Sequence, residues 1–412
     1  MIGFERHQLA NGLKVICHTD LTTPLVCVNV LYDVGSRDED PNRTGFAHLF
    51  EHLMFGGSAH IPAYDHHVEA AGGENNAFTS SDITNYYLTM PAGALETAFW
   101  LESDRMFALD MQPQGLKTQK SVVVEEFRQR YLNQPYGDAW LLLRPLAYSR
   151  HPYRWPAIGM HPSHIEAASL GEVEAFYRRF YHPANAVLSV AGNVKPDKVF
   201  TLAEYWFGDI PSPPKVKRNL PAEPPQTEAR WLEVQREVPA EALFRVFKMG
   251  GRMEESFFAA DLLSDILSSG ESSRLYRRLV KERSLFNDIS THLSGDLDPG
   301  LWALQGRVAE EVSWEEALQA LDEEVQRLTE KCVTDRELQK VRHKLESTLS
   351  FSALSLAERA LNLAYYENTG DAGRYNTLLE RYLEVKPTDL LHSAQQIFRA
   401  ENASSLIITP KN

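Results

Sequence analysis

The alternation of apolar and polar residues predicts strands and amphipathic helices in the first part of the chain. A helix is expected from Thr44, as N-cap, to Met54, after which two glycines follow, and a short helix from Tyr64 to Ala71. Runs rich in β-branched and aromatic residues predict four strands: Leu13–Cys17, Leu25–Tyr32, Asn76–Thr79 and Ile83–Met90. We interpret the first two of these strands as a pair.

A proline-rich segment divides the chain almost in half. Six prolines fall between Pro211 and Pro225. Because proline cannot continue a helix or a central strand, this segment is predicted to be a stiff, extended linker. We therefore expect a first domain at residues 1–210, a linker at 211–228 and a second domain at 229–412.

The two halves resemble each other around one helix. In the first half a predicted strand leads to Ala47–Met54; in the second, Leu243–Met249 leads to Ala260–Leu267 with the apolar positions in register. The polar positions differ, since His48, Glu51 and His52 correspond to Asp261, Ser264 and Asp265. A duplicated domain that kept its fold and lost its chemistry explains this pattern, and chance similarity of two amphipathic helices is the alternative.

Composition narrows the class of protein. Apolar residues make up 43% and charged residues 24%, as in ordinary globular proteins, and a net charge of −14 argues against non-specific nucleic-acid binding. No apolar run is long enough for a membrane-spanning helix, and no secretory signal pattern opens the sequence. With only three scattered cysteines, a reduced, cytoplasmic setting is expected, and the periplasm is the alternative if the chain is trimmed.

The first predicted helix carries a candidate metal site. His48 and His52 are four residues apart, so both imidazoles project from one helix face and can reach one zinc ion. Glu51 lies beside that face and can reach a zinc-bound water. Chance would give about 0.06 such triplets in a chain with this many histidines and acids. Apolar neighbours indicate a largely buried helix, which disfavours the alternative of three exposed polar residues.

A catalytic zinc site needs three protein ligands and an open position. A predicted helix from Leu116 to Tyr131 carries two adjacent glutamates, Glu125 and Glu126, within a largely apolar stretch. Periodicity does not choose between them.

These residues resemble a known family. His48-Leu49-Phe50-Glu51-His52 is similar to the inverted-zincin motif of pitrilysin-type metallopeptidases, which include insulin-degrading enzyme and mitochondrial processing peptidase. Further segments that look familial run through the chain: Gly72–Thr79, Glu102–Met106, His151–Tyr153, Tyr181–Asn185 and Ser272–Leu275. With the repeat, the resemblance implies an α+β fold of two homologous domains. Each would be a mixed, mostly antiparallel sheet packed with helices, and the proline-rich linker would join them.

The resemblance also implies roles for further residues. The family's third ligand matches Glu126, 74 residues after His52, and Gln119 stands where a second acidic residue is common. The metal centre implied is Zn²⁺ held by His48, His52 and Glu126, with Glu51 as the catalytic base. The family's edge strand would bind an extended peptide along Asn76, Ala77 and Phe78.

One departure from the family concerns substrate binding. An arginine and a tyrosine, seven residues apart in the family's non-metal domain, are replaced here by Val280 and Asn287. The same spacing recurs at Arg359 and Tyr366, but on a different predicted helix. We therefore expect a homologous partner subunit to supply the pair in a heterodimer, a homodimer being the weaker alternative.

The function expected is metal-assisted hydrolysis of extended peptides by the zinc-bearing subunit of a two-subunit peptidase. Two alternatives are a non-catalytic structural subunit of the same fold and a zinc hydrolase that acts on a non-peptide amide. Nucleic acid and membrane are not expected as partners.

Overall fold

The computed structural model describes residues 1–411 and contains two β-sheets, one from each half of the sequence. The first sheet has six strands: β1 (Glu5–Gln8), β2 (Lys14–Thr19), β3 (Leu25–Tyr32), β4 (Glu74–Thr79), β5 (Thr84–Pro91) and β6 (Ala186–Gly192). The second sheet has five strands: β7 (Arg230–Arg236), β8 (Ala242–Lys248), β9 (Phe286–Leu293), β10 (Leu301–Val308) and β11 (Ala403–Pro410).

Helices surround both sheets. The first half contains α1 (Phe46–Leu53), α2 (Tyr64–Ala70), α3 (Leu95–Phe107), α4 (Pro113–Phe127), α5 (Ala139–Ala147), α6 (Pro162–Glu166), α7 (Leu170–Phe180) and α8 (Pro196–Phe207). The second half contains α9 (Ser256–Ser268), α10 (Trp314–Glu330), α11 (Asp335–Ser352), α12 (Leu356–Asn368), α13 (Arg374–Glu384) and α14 (Pro387–Ile397). Two π-helical turns lie at Arg128–Leu132 and Tyr276–Glu282.

The two sheets share one topology. The first has the order β1-β2-β6-β3-β5-β4 and the second the order β7-β11-β8-β10-β9, so that five strands correspond when β1 is set aside. In each sheet one pair is parallel, β2 with β6 and β7 with β11, and all other pairs are antiparallel. The α+β fold with mixed, mostly antiparallel sheets is confirmed.

The first strands pair differently from the prediction. Leu13–Cys17 and Leu25–Tyr32 do form strands, β2 and β3, but β6 lies between them, parallel to β2 and antiparallel to β3. β2 instead pairs with β1, which precedes it and is joined to it by a turn at Asn11-Gly12. The hydrophobic pattern did not reveal β1 because all four of its residues are exposed. β6 is buried at every position, as expected of a central strand covered on both faces.

The chain forms two compact units that each contain one sheet. The first unit comprises residues 1–127, 155–220 and 349–378, and the remaining described residues form the second. The chain changes unit between Leu220 and Pro221, inside the proline-rich segment, but 128–154 and 349–378 lie outside the unit of their own sequence half. The observed units therefore differ from the expected domains 1–210 and 229–412 in these two segments.

The exchanged segments are core elements. In the first unit, α12 packs on β3 and β6, where Leu363 and Ala364 join a buried cluster with Ile16 and Val187. In the second unit, α5 packs on β8 and β11 through buried side chains of its own: Ala139, Leu143 and Ala147. Each sequence half thus supplies one helix that covers the other half's sheet.

Candidate metal centre

Helix α1 is fixed by its apolar side. Phe46, Leu49, Phe50 and Leu53 are buried in the core of the first unit. The Phe50 ring stacks against aromatic rings of α7 and the residue after it: Phe176, Tyr177 and Tyr181. Complete burial of such a ring contributes about 1.5–3 kcal/mol. The polar side chains of α1 therefore project from a firmly held backbone.

The N-terminus of α1 is capped by a carboxylate from an earlier loop. Glu39 accepts hydrogen bonds from the backbone amides of Gly45 (2.9 Å) and Ala47 (2.8 Å). Its complete burial raises its pKa well above the usual range, and the two amide bonds only partly offset this. The expectation that Thr44 caps this helix was wrong, because its hydroxyl instead contacts His164 and the amide of Met160.

Gly45 is required at the start of α1. Its φ of 94° lies in the left-handed region, and a Cβ there would stand 2.7 Å from the carbonyl oxygen of Ile158. The buried Glu39 cap and this glycine together set the entry of α1, and hence the position of His48 one turn later.

The structure brings His48, His52 and Glu126 together. Oε2 of Glu126 lies 3.2 Å from Nε2 of His52 and 3.7 Å from Nε2 of His48, and the candidate ligand atoms all lie within 4.8 Å of one another. Ligands of a tetrahedral zinc ion are roughly 3.4 Å apart, given Zn–N and Zn–O distances near 2.1 Å. Among the described residues, no other group of three histidine, cysteine or acidic side chains converges in this way. The donor set fits zinc.

The choice between the two glutamates of α4 is made by helix packing. α4 packs on α1, and Glu126 is mostly buried on that side, whereas Glu125 is exposed. Gln119 lies seven residues before Glu126, two turns earlier on the same face of α4, and is half-buried.

Glu51 is held from the edge strand. The hydroxyl of Thr79, the last residue of β4, donates a 2.6 Å hydrogen bond to Oε2 of Glu51. A charge-assisted bond of this kind is stronger than one between neutral groups. Thr79 therefore holds the Glu51 carboxylate from the end of β4, a contact between distant residues that no local sequence pattern predicts.

The predicted peptide-binding residues lie beside this site on an edge strand. Asn76, Ala77 and Phe78 belong to β4, which packs against α1 and pairs only with β5 among the described residues. Asn76 is exposed, and the other two are half-buried. An edge strand has unpaired backbone groups that an additional strand can use.

The corresponding helix of the second unit carries no ligand set. The Asp261 carboxylate accepts a hydrogen bond from the Tyr382 hydroxyl (2.6 Å), and Asp265 pairs with Lys344 (3.1 Å). Ser264 contacts the Thr291 hydroxyl of β9 at 2.8 Å. Burial raises the pKa of Asp261. The three positions that correspond to the metal helix are therefore occupied by a hydrogen-bonded polar network.

Val280 and Asn287, which stand where the family has its substrate-binding arginine and tyrosine, lie in the second unit. Val280 is half-buried in the π-helical turn, and the Asn287 amide donates to the backbone oxygen of Val308. The alternative pair is structural: Arg359 forms an ion pair with Asp20 (2.6 Å), and Tyr366 is buried within α12. Both residues belong to the packing of α12 in the first unit.

Family models match both halves of the chain. "Insulinase (Peptidase family M16)" matches residues 14–139, which include α1 and α4, and "Peptidase M16 inactive domain" matches residues 167–345. The chain belongs to peptidase family M16. The family predicted from the motif is confirmed, and the match of the metal-centre segment to the insulinase model supports the peptidase class.

Relatives of this M16 chain span its whole length. The zinc protease PqqE of Helicobacter pylori is 29% identical over 416 residues, which is 98% of this chain and 93% of the relative. A solved protease structure from Helicobacter pylori superposes with a TM-score of 0.94 at 27% identity and covers both chains completely. A peptidase M16 inactive domain from Pseudomonas fluorescens, 18% identical, shares the fold with a TM-score of 0.91, covering 100% of this chain and 99% of that one.

Within residues 1–411, no helix of this M16 chain combines the length and the apolar character required to cross a bilayer.

Proposed function

We propose that the chain is a zinc-dependent endopeptidase whose metal is held by His48, His52 and Glu126. The observation that carries this proposal is the convergence of the three ligand atoms within 4.8 Å, beside a carboxylate of the same helix. A zinc ion bound there supplies Lewis acidity, which activates a water molecule near neutral pH and polarises the scissile carbonyl.

Glu51 is the proposed general base and acid. Its carboxylate takes the proton of the attacking water and delivers it to the leaving amine. Thr79 holds one oxygen of this carboxylate with its 2.6 Å hydrogen bond. The bond also keeps Glu51 oriented without making it a ligand.

The proposed substrate is an extended peptide added to the edge of β4. Backbone groups of Asn76, Ala77 and Phe78 would pair with the peptide backbone, which gives affinity with little demand on side-chain sequence. Because β4 packs against α1 and ends at Thr79, a peptide bound there passes the metal centre.

We further propose that activity requires a homologous partner subunit. Val280 cannot form the bidentate or cationic contacts of an arginine, and the Asn287 amide is engaged by Val308. The isolated chain should therefore show little peptidase activity on quenched peptides. Mixing with a homologue that carries the arginine and tyrosine should restore it, and full turnover by the isolated chain would contradict the two-subunit proposal.

Zinc content tests the metal assignment directly. The purified chain should bind about one zinc ion, as a three-ligand site requires. Glu126→Gln should lower the affinity strongly, whereas Glu125→Gln, its exposed neighbour, serves as the matched control and should keep the metal. Full retention of zinc by Glu126→Gln would overturn the assignment.

The alternative is a non-catalytic subunit of the same fold, which the replacement of the arginine and tyrosine favours. It predicts that no homologous partner yields activity that depends on Glu51.

For the compartment we propose the cytoplasm, because two cysteines are buried, Cys332 is exposed, and none forms a disulfide.

A further inference from the structure

The second unit contains a cleft, whereas the metal centre and the edge strand β4 belong to the first unit. It has a volume of about 910 Å³, within the range of small-molecule sites. Its walls are the turn after α9 with the π-helical turn, the C-terminal end of α10, and the first turns of α11. We refer to it as the cationic cleft.

The lining of the cationic cleft is strongly basic. Two carboxylates, Glu330 and Glu337, face it. Seven cationic side chains line it from three stretches of the chain: Arg274, Arg277 and Arg278; Arg327 and Lys331; Arg336 and Lys340. The chain as a whole has a net charge of −14, so this concentration of positive charge is opposite in sign to the protein. A cleft of one charge sign focuses the field and raises the local concentration of counter-ions.

Two carboxylates at the cleft are paired with arginine, whereas Glu330 accepts a hydrogen bond from Gln326 (2.9 Å). Glu337 forms a bidentate pair with Arg274, at 2.7 and 3.0 Å. Behind the cleft, Oε1 of Glu324 is shared between Arg278 (3.0 Å) and Arg327 (2.9 Å). Because two guanidinium groups share one carboxylate, Glu324, Arg278 and Arg327 together keep a net positive charge.

Three further cations have no acidic partner. Nζ of Lys340 donates to the backbone oxygen and the hydroxyl of Ser272, at 3.4 and 3.2 Å. Within residues 1–411, no carboxylate lies within ion-pair distance of Lys340, Lys331 or Arg336. Partial burial lowers the pKa of Lys340, as expected of an ammonium group that has lost hydration.

We propose that the cationic cleft binds a small anion that carries several phosphate groups. Guanidinium forks pair with phosphate oxygens through two parallel hydrogen bonds, and lysine adds point charges. The uncompensated cations lie on separate walls of a cleft too large for one phosphate, so one ligand must present several anionic groups to neutralise them. This inference does not rest on the peptidase proposal.

Cys332 offers a direct reporter of binding. It lines the cationic cleft and is exposed, whereas the other two cysteines of the chain are buried. A bound anion should shield its thiol from N-ethylmaleimide, a neutral reagent. At a ligand concentration four times the Kd, modification should slow about fivefold, because only the unliganded fraction reacts.

The experiment measures the alkylation rate of the full-length chain with sodium triphosphate, orthophosphate and citrate at matched ionic strength. We expect saturable protection by triphosphate and weaker protection by the other two. Lys331→Glu/Arg336→Glu should abolish it, since both side chains are exposed and outside ion pairs. The control variant Lys195→Glu/Lys198→Glu makes an equal change of charge on exposed residues of α8 and its N-cap. It should keep the protection by triphosphate.

Several outcomes would overturn the proposal. These are no protection by triphosphate, unchanged protection in Lys331→Glu/Arg336→Glu, or equal protection by citrate, which would indicate a general anion site. Stronger protection by a single-stranded oligonucleotide at equal phosphate concentration would point to nucleic acid instead. Calorimetric titration of Cys332→Ser with triphosphate provides a second measurement that does not depend on the thiol.

Discussion

Helices α1 and α9 occupy the same place in two sheets of the same topology, yet among the described residues only α1 carries a candidate ligand set. Each helix follows the third strand of the shared five-strand pattern and packs against the edge strand, β4 or β9. The fold therefore depends on the apolar positions that both helices keep. The chemistry depends on a few polar positions, which the fold does not constrain.

The contacts around α1 and α9 also correspond in position but differ in chemistry. Thr79 of β4 bonds to Glu51, and Thr291 of β9 contacts Ser264, the corresponding residue. Glu126 of α4 lies 3.2 Å from His52, and Lys344 of α11 lies 3.1 Å from Asp265. The second unit thus keeps the arrangement of helix and edge strand, and a lysine contacts the residue that corresponds to His52.

The sharpest test of the difference removes the proposed general base. Glu51→Gln should lower kcat/KM by about 10²- to 10⁴-fold, because proton transfer is lost while the size of the side chain is kept. Zinc content should not change. Ser264→Ala, at the corresponding position of α9, should leave activity unaltered. Equal losses from the two substitutions, measured on a quenched peptide with the partner present, would remove the functional distinction between the helices.

A second test rebuilds the missing site. Asp261→His/Ser264→Glu/Asp265→His should gain no zinc, since it supplies no third ligand and Lys344 holds a positive charge beside residue 265. Adding Lys344→Glu should raise the zinc content from about one to about two ions per chain. Zinc is measured by atomic emission after dialysis. A second ion bound by the triple variant would show that Lys344 does not block the site.

A smaller effect is expected from the threonine on each edge strand. Thr79→Val should lower kcat about tenfold or more, because a hydrogen bond to a charged group contributes about 1.5–3 kcal/mol. Thr79→Ser should restore most of it, and zinc affinity and KM should stay unchanged. Thr291→Val should leave kcat unaltered. If Thr79→Ser were as slow as Thr79→Val, the hydroxyl would not be the important group.

The smallest effect concerns Asp261. Burial raises its pKa, so above the usual pKa of an aspartate the folded state keeps a proton that the unfolded state has lost. Its contribution to stability therefore falls as pH rises through the folded pKa. Asp261→Asn should remove this dependence while its amide oxygen still accepts the Tyr382 hydrogen bond. Thermal unfolding from pH 4 to 8 should show a flatter profile than wild type, and an identical profile would contradict this prediction.

Local sequence patterns were sufficient to predict features that depend only on the geometry of a single helix. The i, i+4 spacing of His48 and His52 places both rings on one side of any helix, and the apolar neighbours predict which side is buried. The structure contains that helix as α1, with bounds close to the prediction. The cap was missed because Glu39 reaches α1 from six residues before Gly45, which a local capping pattern does not include.

The sequence by itself determined four strands of the first sheet (β2 to β5), the helix of the candidate metal site, the repeat and, through its motif, the family. Tertiary structure decided what depends on distant contacts. It placed β6 between β2 and β3, exchanged α5 and α12 between the units, and turned Glu126, not Glu125, toward the histidines. The physical reason is that hydrophobic periodicity specifies which face of an element is buried, whereas the partner that covers the face is selected by packing of the whole chain.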